Sequence, residues 1–128
     1  MTELDSLQAT VWILLLLQIK HFLADFVWQT DRMIQEKGSY LAAHGIYHSG
    51  IHGLGTFLIL TLLHPALGII IGIVDFLAHY HIDWAKAKIN QHKKYTPADK
   101  QFWFWLGFDQ LLHQITYILI VGWVFFAF

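Results

Sequence analysis

The chain has 128 residues, of which 56% are apolar and only 13% charged, about half the charged share of a soluble domain. That length leaves room for one domain at most, and the absence of cysteine excludes disulfides and thiolate metal ligands. A formal net charge of −1 gives no basic footprint, so no nucleic-acid partner is expected.

The N-terminal stretch MTELDSLQAT is acidic and shows no small-residue cleavage pattern before the apolar run. The first hydrophobic segment is therefore expected to be retained. A membrane-spanning helix needs roughly 20 mostly apolar residues, and four segments qualify by eye: about 7–29, 43–63, 66–85 and 102–127. A short amphipathic helix is expected over Asp31–Lys37, with Gly38 as its stop and Ser39 capping the next helix. His64–Pro65 makes a tight break between the second and third segments. Gly68 and Gly72, in GIIIG, have the spacing that lets a neighbouring backbone come close. In TPAD, Thr96 is the expected cap, Pro97 the first helical residue and Asp99 a first-turn acid at the positive end of the dipole.

The expected fold is thus an all-α membrane protein, with four transmembrane helices in a compact bundle filling residues 1–128. Arg32 and Lys37 fall in one loop, and Lys86, Lys88, Lys93, Lys94 and Lys100 in another. The positive-inside rule then makes these loops cytoplasmic and puts both termini outside. Segments such as TFLILTLL and LGIIIGIV leave no polar face of the kind a soluble helix needs.

Against this apolar background, ionisable residues recur every four positions. His21 and Asp25 lie in the first segment and His44, His48 and His52 in the second. The third carries Asp75, His79 and Asp83, and the fourth Asp109 and His113. Residues four apart share one helix face, so each segment presents one polar stripe. Counted from the basic side, Asp25, His48, His79 and Asp109 fall roughly 6–10 Å deep, and His21, His52, Asp75 and His113 roughly 12–17 Å deep. An ionisable group at the centre of a span costs about 2.5–3.5 kcal/mol on the insertion scale, so the stripes are expected to face a shared polar interior.

Imidazole with carboxylate suits zinc best, and also manganese or iron. His21, Asp25, His48, His79, Asp83, Asp109 and His113 are the candidate ligands, and Asp25, Asp109 and His113 the candidate catalytic base. Lys20, Gln29, His44, His52, Asp75, Lys86 and Gln110 complete the expected cavity, with His44, Asp83 and Gln29 at its mouth. Lys20 lies too deep to reach water and calls for a carboxylate partner, for which Asp75 is placed. The run KAKINQHKK is either a solvated extension against anionic headgroups or a means of steering an anionic substrate.

The blocks KHFLADFVWQTDRM, LAAHGIYH, HYHIDWAK and FDQLLHQ resemble those of the bacterial membrane-protein family called domain of unknown function 3307. The resemblance extends from about Lys20 to Gln114. It covers His21, Asp25 and Gln29; His44 and His48; His79, Asp83 and Lys86; and Asp109, Gln110 and His113. Asp75 and His52 lie outside its pattern. The resemblance implies a small multi-span protein of the bacterial inner membrane and carries no activity with it.

The first functional reading is a metal-dependent hydrolase acting on a lipid-linked or amphipathic substrate from the cytoplasmic side. A proton- or metal-ion-coupled transporter is the alternative, although the outer halves of the segments offer it only Gln8, Thr10, Thr61 and Thr116. An accessory membrane subunit is a third reading, and a homo-oligomer is compatible with each.

Overall fold

The computed structural model describes residues 3–127, with side chains from 5 to 125. It contains five α-helices: α1 (Glu3–Phe22), α2 (Asp31–Glu36), α3 (Ala43–Thr61), α4 (Pro65–Lys93) and α5 (Lys100–Ala127). A π-helical turn over Leu23–Val27 continues α1.

The expectation of four transmembrane helices in a compact bundle does not hold. Among the described residues, three stretches are long and apolar enough to cross a membrane: Asp5–Val27, Pro65–Lys93 and Lys100–Phe125. α3 has 19 residues, but three of them are histidine and four glycine, and these dilute its aliphatic content. An orientation with both termini outside and the basic loops cytoplasmic depends on four crossings and falls with the fourth.

The helix boundaries follow local chemistry. Thr30 caps α2 by accepting the Met33 N–H at 3.3 Å. His64 is extended and Pro65 opens α4, where a missing N–H is harmless. Ser39 does not cap α3, which begins four residues later at Ala43. Its start is held instead by Glu36, whose carboxylate accepts the His44 N–H at 2.9 Å. The intervening turn puts Leu41 at φ 62°, and the Leu41 N–H donates to the buried Tyr80 hydroxyl at 2.6 Å. In TPAD, the Thr96 N–H and hydroxyl both donate to Asp99 Oδ2, at 2.7 and 2.9 Å, and α5 begins just after this turn.

α3 and α4 meet backbone to backbone. A Cβ on Gly53 would lie 2.7 Å from the Gly72 carbonyl oxygen, and one on Gly72 2.8 Å from that of Gly53. A Cβ on Gly68 would lie 2.9 Å from the Phe57 carbonyl. One end of the molecule holds the apolar core, built from Ile13 and Leu17 of α1, Leu60 of α3, Leu67 and Ile71 of α4, and Tyr117, Ile120, Val121 and Val124 of α5. Aliphatic side chains also cover the outside, among them Ile19, Ile69, Ile70, Ile73 and Leu119. Buried imidazoles and carboxylates inside an apolar exterior reverse the usual soluble arrangement, and they fix where the chemistry sits.

Candidate metal centre

The π turn closes when the Trp28 N–H donates to the Leu23 carbonyl at 2.8 Å, a bond across five residues. Turns of this kind recur at functional sites, and this one carries Asp25. The Gln29 side-chain amide donates to the Asp25 carbonyl at 2.9 Å and steadies the turn. The Asp25 carboxylate enters the space between α3 and α4. Its Oδ1 lies 3.0 Å from His48 Nε2, 3.1 Å from His52 Nε2 and 3.6 Å from His79 Nε2. His48 Nε2 and His79 Nε2 are themselves 3.2 Å apart.

These four side chains each offer one ligand atom, all within 4.8 Å of one another and all buried. Ligands about 2.0–2.1 Å from a tetrahedral zinc are separated from one another by roughly 3.3 Å. The Asp25–His48, Asp25–His52 and His48–His79 spacings lie close to that edge length. Two imidazole nitrogens facing each other at 3.2 Å require a proton or a cation between them. Their outer nitrogens, Nδ1 of His48, His52 and His79, have no hydrogen-bond partner. The polar contacts of these rings are therefore concentrated on the inward side, and the outer hydrogen bond common to metal-bound histidine is missing.

A second group, His79, Asp83 and His113, adjoins the first. Asp83 Oδ2 lies 3.2 Å from His48 Nε2 and 3.3 Å from His79 Nε2, and Oδ1 lies 3.4 Å from His113 Nε2. Asp109 Oδ1 approaches the same His113 nitrogen at 3.4 Å. His79 Nε2 has one lone pair and can bind one ion, so the two groups cannot both use it.

Charge separates them. Lys37 Nζ lies 2.7 Å from Asp83 Oδ2, Lys86 Nζ 3.1 Å from Asp109 Oδ2, and Lys20 Nζ 2.8 Å from Asp75 Oδ2. Asp25 is the buried aspartate left without an ammonium partner. Its Oδ2 instead meets His21 Nε2 at 3.1 Å and accepts from the Gln110 amide at 3.3 Å. With neutral imidazoles the cluster therefore carries one negative charge more than its lysines balance, and Asp25 is the aspartate no ammonium meets; a proton on His113, between Asp83 and Asp109, balances the total without reaching Asp25. Buried charge of this kind demands a counter-ion. The donor set thus fits a cation among Asp25, His48, His52 and His79, whereas the Asp83–Asp109 side is already neutralised by lysine.

The remaining candidates divide between this cluster and its surroundings. His21 joins it, with Nδ1 3.0 Å from the Tyr117 hydroxyl and Nε2 2.9 Å from Gln110 Oε1. Lys20 pairs with Asp75, the partner its depth predicts, and also donates to Thr56 Oγ1 at 3.0 Å and the His52 carbonyl at 3.2 Å. Thr56 donates onward to Asp75 at 2.6 Å. This knot closes the cluster toward the apolar core, so Asp75 is withdrawn from the tier that depth assigns it. His44 stands apart, its Nδ1 2.9 Å from Glu36 Oε1. The His44 N–H and imidazole together hold the Glu36 carboxyl below its ordinary range. Asp83, expected at the mouth, sits at the centre with 2% exposure.

Sequence reasoning missed Lys37, Thr56 and Tyr117. Thr56 continues the His44–His48–His52 stripe by four, and Tyr117 continues Asp109–His113 by four, so periodicity alone could have found both. Lys37 carried no such signal.

These features define a helical, membrane-spanning protein with a clustered His/Asp metal-binding site. The family model described as protein of unknown function (DUF3307) matches residues 13–127, a range that includes the whole cluster, and the chain belongs to that family. No curated protein and no solved structure matches it.

Proposed function

We propose that the chain is a metal-dependent hydrolase of the bacterial inner membrane, holding one zinc ion on Asp25, His48, His52 and His79 and acting on a lipid-linked or amphipathic substrate. The observation that carries this reading is the convergence of three imidazole nitrogens on Asp25, among the described residues the one buried carboxylate that has no lysine. Three nitrogens and one oxygen form a donor set suited to zinc. Bound zinc would supply Lewis acidity and, on expanding from four to five ligands, a water ionised near neutral pH.

The protein's own groups would handle the protons. His113 lies between Asp83 and Asp109, whose carboxylates favour its protonated form, and is the candidate proton donor, oriented by both. Lys86 holds Asp109 in place, and Gln110 bridges Asp109 and Asp25, its Nε2 lying 3.2 Å from Asp109 Oδ2. The Lys20–Asp75–Thr56 knot, backed by Leu17, Leu60 and Ile71, supports a closed-ended site over a transport path.

Elemental analysis of protein purified without a histidine tag tests the metal. About one zinc per chain is expected, falling below about a tenth in Asp25→Asn and His48→Ala. A wild-type value below about a tenth rejects the reading. Hydrolysis of a lipid phosphodiester or ester in mixed micelles tests the chemistry. Asp109→Asn and His113→Ala should abolish turnover while keeping the metal. Metal retention without turnover in the wild type, across both substrate types, rejects hydrolysis.

A further inference from the structure

Beside the cluster lies a cavity of about 310 Å³ lined by Gln29, Lys37, Lys86, Asn90, Phe102 and Leu106, among others. We propose that it binds a hydroxyl-bearing phosphate ester, the headgroup of an anionic lipid such as a phosphoglycerol. This rests on the hydrolase reading in calling the ligand a substrate, and on the metal of that reading for part of its affinity.

Three features of the cavity carry the inference. Lys37 and Lys86 each spend one contact on a cluster carboxylate. An ammonium has three donors, so each lysine retains two, enough to hold phosphate oxygens. Gln29 Oε1 and Asn90 Oδ1 are buried acceptors without a donor. The Gln29 nitrogen is committed to the Asp25 carbonyl, so its oxygen cannot be exchanged for the nitrogen without losing that bond. A fully ionised phosphate monoester offers no donor to these two oxygens and hydrogen phosphate only one, whereas a glycerol headgroup offers one hydroxyl for each. A ligand that presents anionic oxygens to the lysines and hydroxyls to the amides satisfies both sets of groups.

The walls indicate a tail. Phe102 and Leu106 make one side of the cavity apolar. Lys86 also lines a second groove of about 350 Å³, walled by Ile82, Trp105, Phe108 and Leu112 between α4 and α5. An acyl chain leaving the headgroup at Lys86 finds an apolar path there toward the bilayer.

Charge also couples this cavity to the metal. Lys37 and Lys86 are balanced by Asp83 and Asp109, so with Asp25 unpaired and the imidazoles neutral the apo cluster repels an anion. A dication on Asp25 reverses that sign, and by linkage each ligand tightens the other.

The test uses full-length protein in nanodiscs of zwitterionic lipid, doped with phosphatidylglycerol or with phosphatidic acid, and compares soluble glycerol phosphate and inorganic phosphate. Lipid retention and metal content are measured on the same samples. Phosphatidylglycerol is expected to bind at least about tenfold more tightly than phosphatidic acid and than either soluble anion. Lys86→Gln should remove that preference. Because this variant leaves Asp109 unpaired, Leu106→Trp serves as a second variant that fills the cavity with both ion pairs intact and should do the same. Equal binding of the two lipids, or an unchanged preference in Leu106→Trp, overturns the inference. Glycerol phosphate binding as tightly as the lipid overturns the lipid assignment. Wild-type protein that holds no metal but keeps the lipid preference rejects the hydrolase and leaves this site standing; the reverse result rejects this site alone.

Discussion

Replacing Lys20 with methionine removes the cation at the floor of the cluster and leaves the volume nearly filled. Asp75, only 1% exposed, would lose an ammonium at 2.8 Å and keep only the Thr56 hydroxyl at 2.6 Å. Removing one member of a buried ion pair typically costs about 3–5 kcal/mol. The surviving hydroxyl bond puts the expectation for Lys20→Met near the lower end, about 3 kcal/mol. The double variant Lys20→Met/Asp75→Leu has no unpaired charge and should return to within about 1 kcal/mol of wild type, since apolar replacements of buried pairs are often neutral. The resulting coupling energy of about 2 kcal/mol or more can be read from a double-mutant cycle. Equilibrium unfolding in mixed micelles, followed by far-ultraviolet circular dichroism, gives the four free energies. A Lys20→Met loss under about 1 kcal/mol, or a double variant no more stable than the single, would refute the closed ion pair.

Three further outcomes follow from geometry. Gly53→Val must displace the Gly72 carbonyl and the Phe76 Cβ, at 2.7 and 2.8 Å, so it should lose about 3 kcal/mol or more. Gly50→Ala, with nothing within 4 Å, should gain about 0.5–1 kcal/mol in the same unfolding assay. Leu41→Gly relieves a left-handed backbone at φ 62° and should raise stability by up to about 1 kcal/mol; a lowered unfolding midpoint would count against strain there. The N–H and hydroxyl of Thr96 hold the Asp99 carboxyl below its ordinary value of 3.8. Its contribution is therefore fully present above pH 3.8 and lost as the pH falls through the lowered value. A carbon-13 titration of Asp99 should show this, and Thr96→Ala, which removes the hydroxyl and keeps the larger backbone contribution, should bring the midpoint only part of the way back toward 3.8.

Period-four spacing carried most of the legible information. It placed His21, Asp25, His48, His52, His79, Asp83, Asp109 and His113 on inward faces because helical geometry depends on spacing alone. Depth likewise paired Lys20 with Asp75, since a buried ammonium has few ways to be satisfied. The fourth span misled because α3 ends in LGTFLILT, which reads as hydrocarbon, while its first half is histidine and glycine serving an interior interface. His44 fits its stripe by spacing, yet it stands at the first turn, where an orphan N–H competes for Glu36. That competition depends on where the Ser39–Ala42 turn brings α2, which no periodicity encodes. The burial of Lys37 is likewise a tertiary fact, because a loop lysine beside Gly38 reads as solvated until Asp83 is seen beneath it.

The π turn at Leu23–Val27 sets a condition on chain length. It accommodates one residue more than an ordinary helical turn, so deleting a single residue there would let α1 run on in regular register. The residues on either side would keep their facing, and the loss would fall on the wide turn itself, moving Asp25 or its replacement off the imidazoles. Sequences that keep this centre should keep the spacing from the first helix to Thr30 without gaps, whatever else they vary.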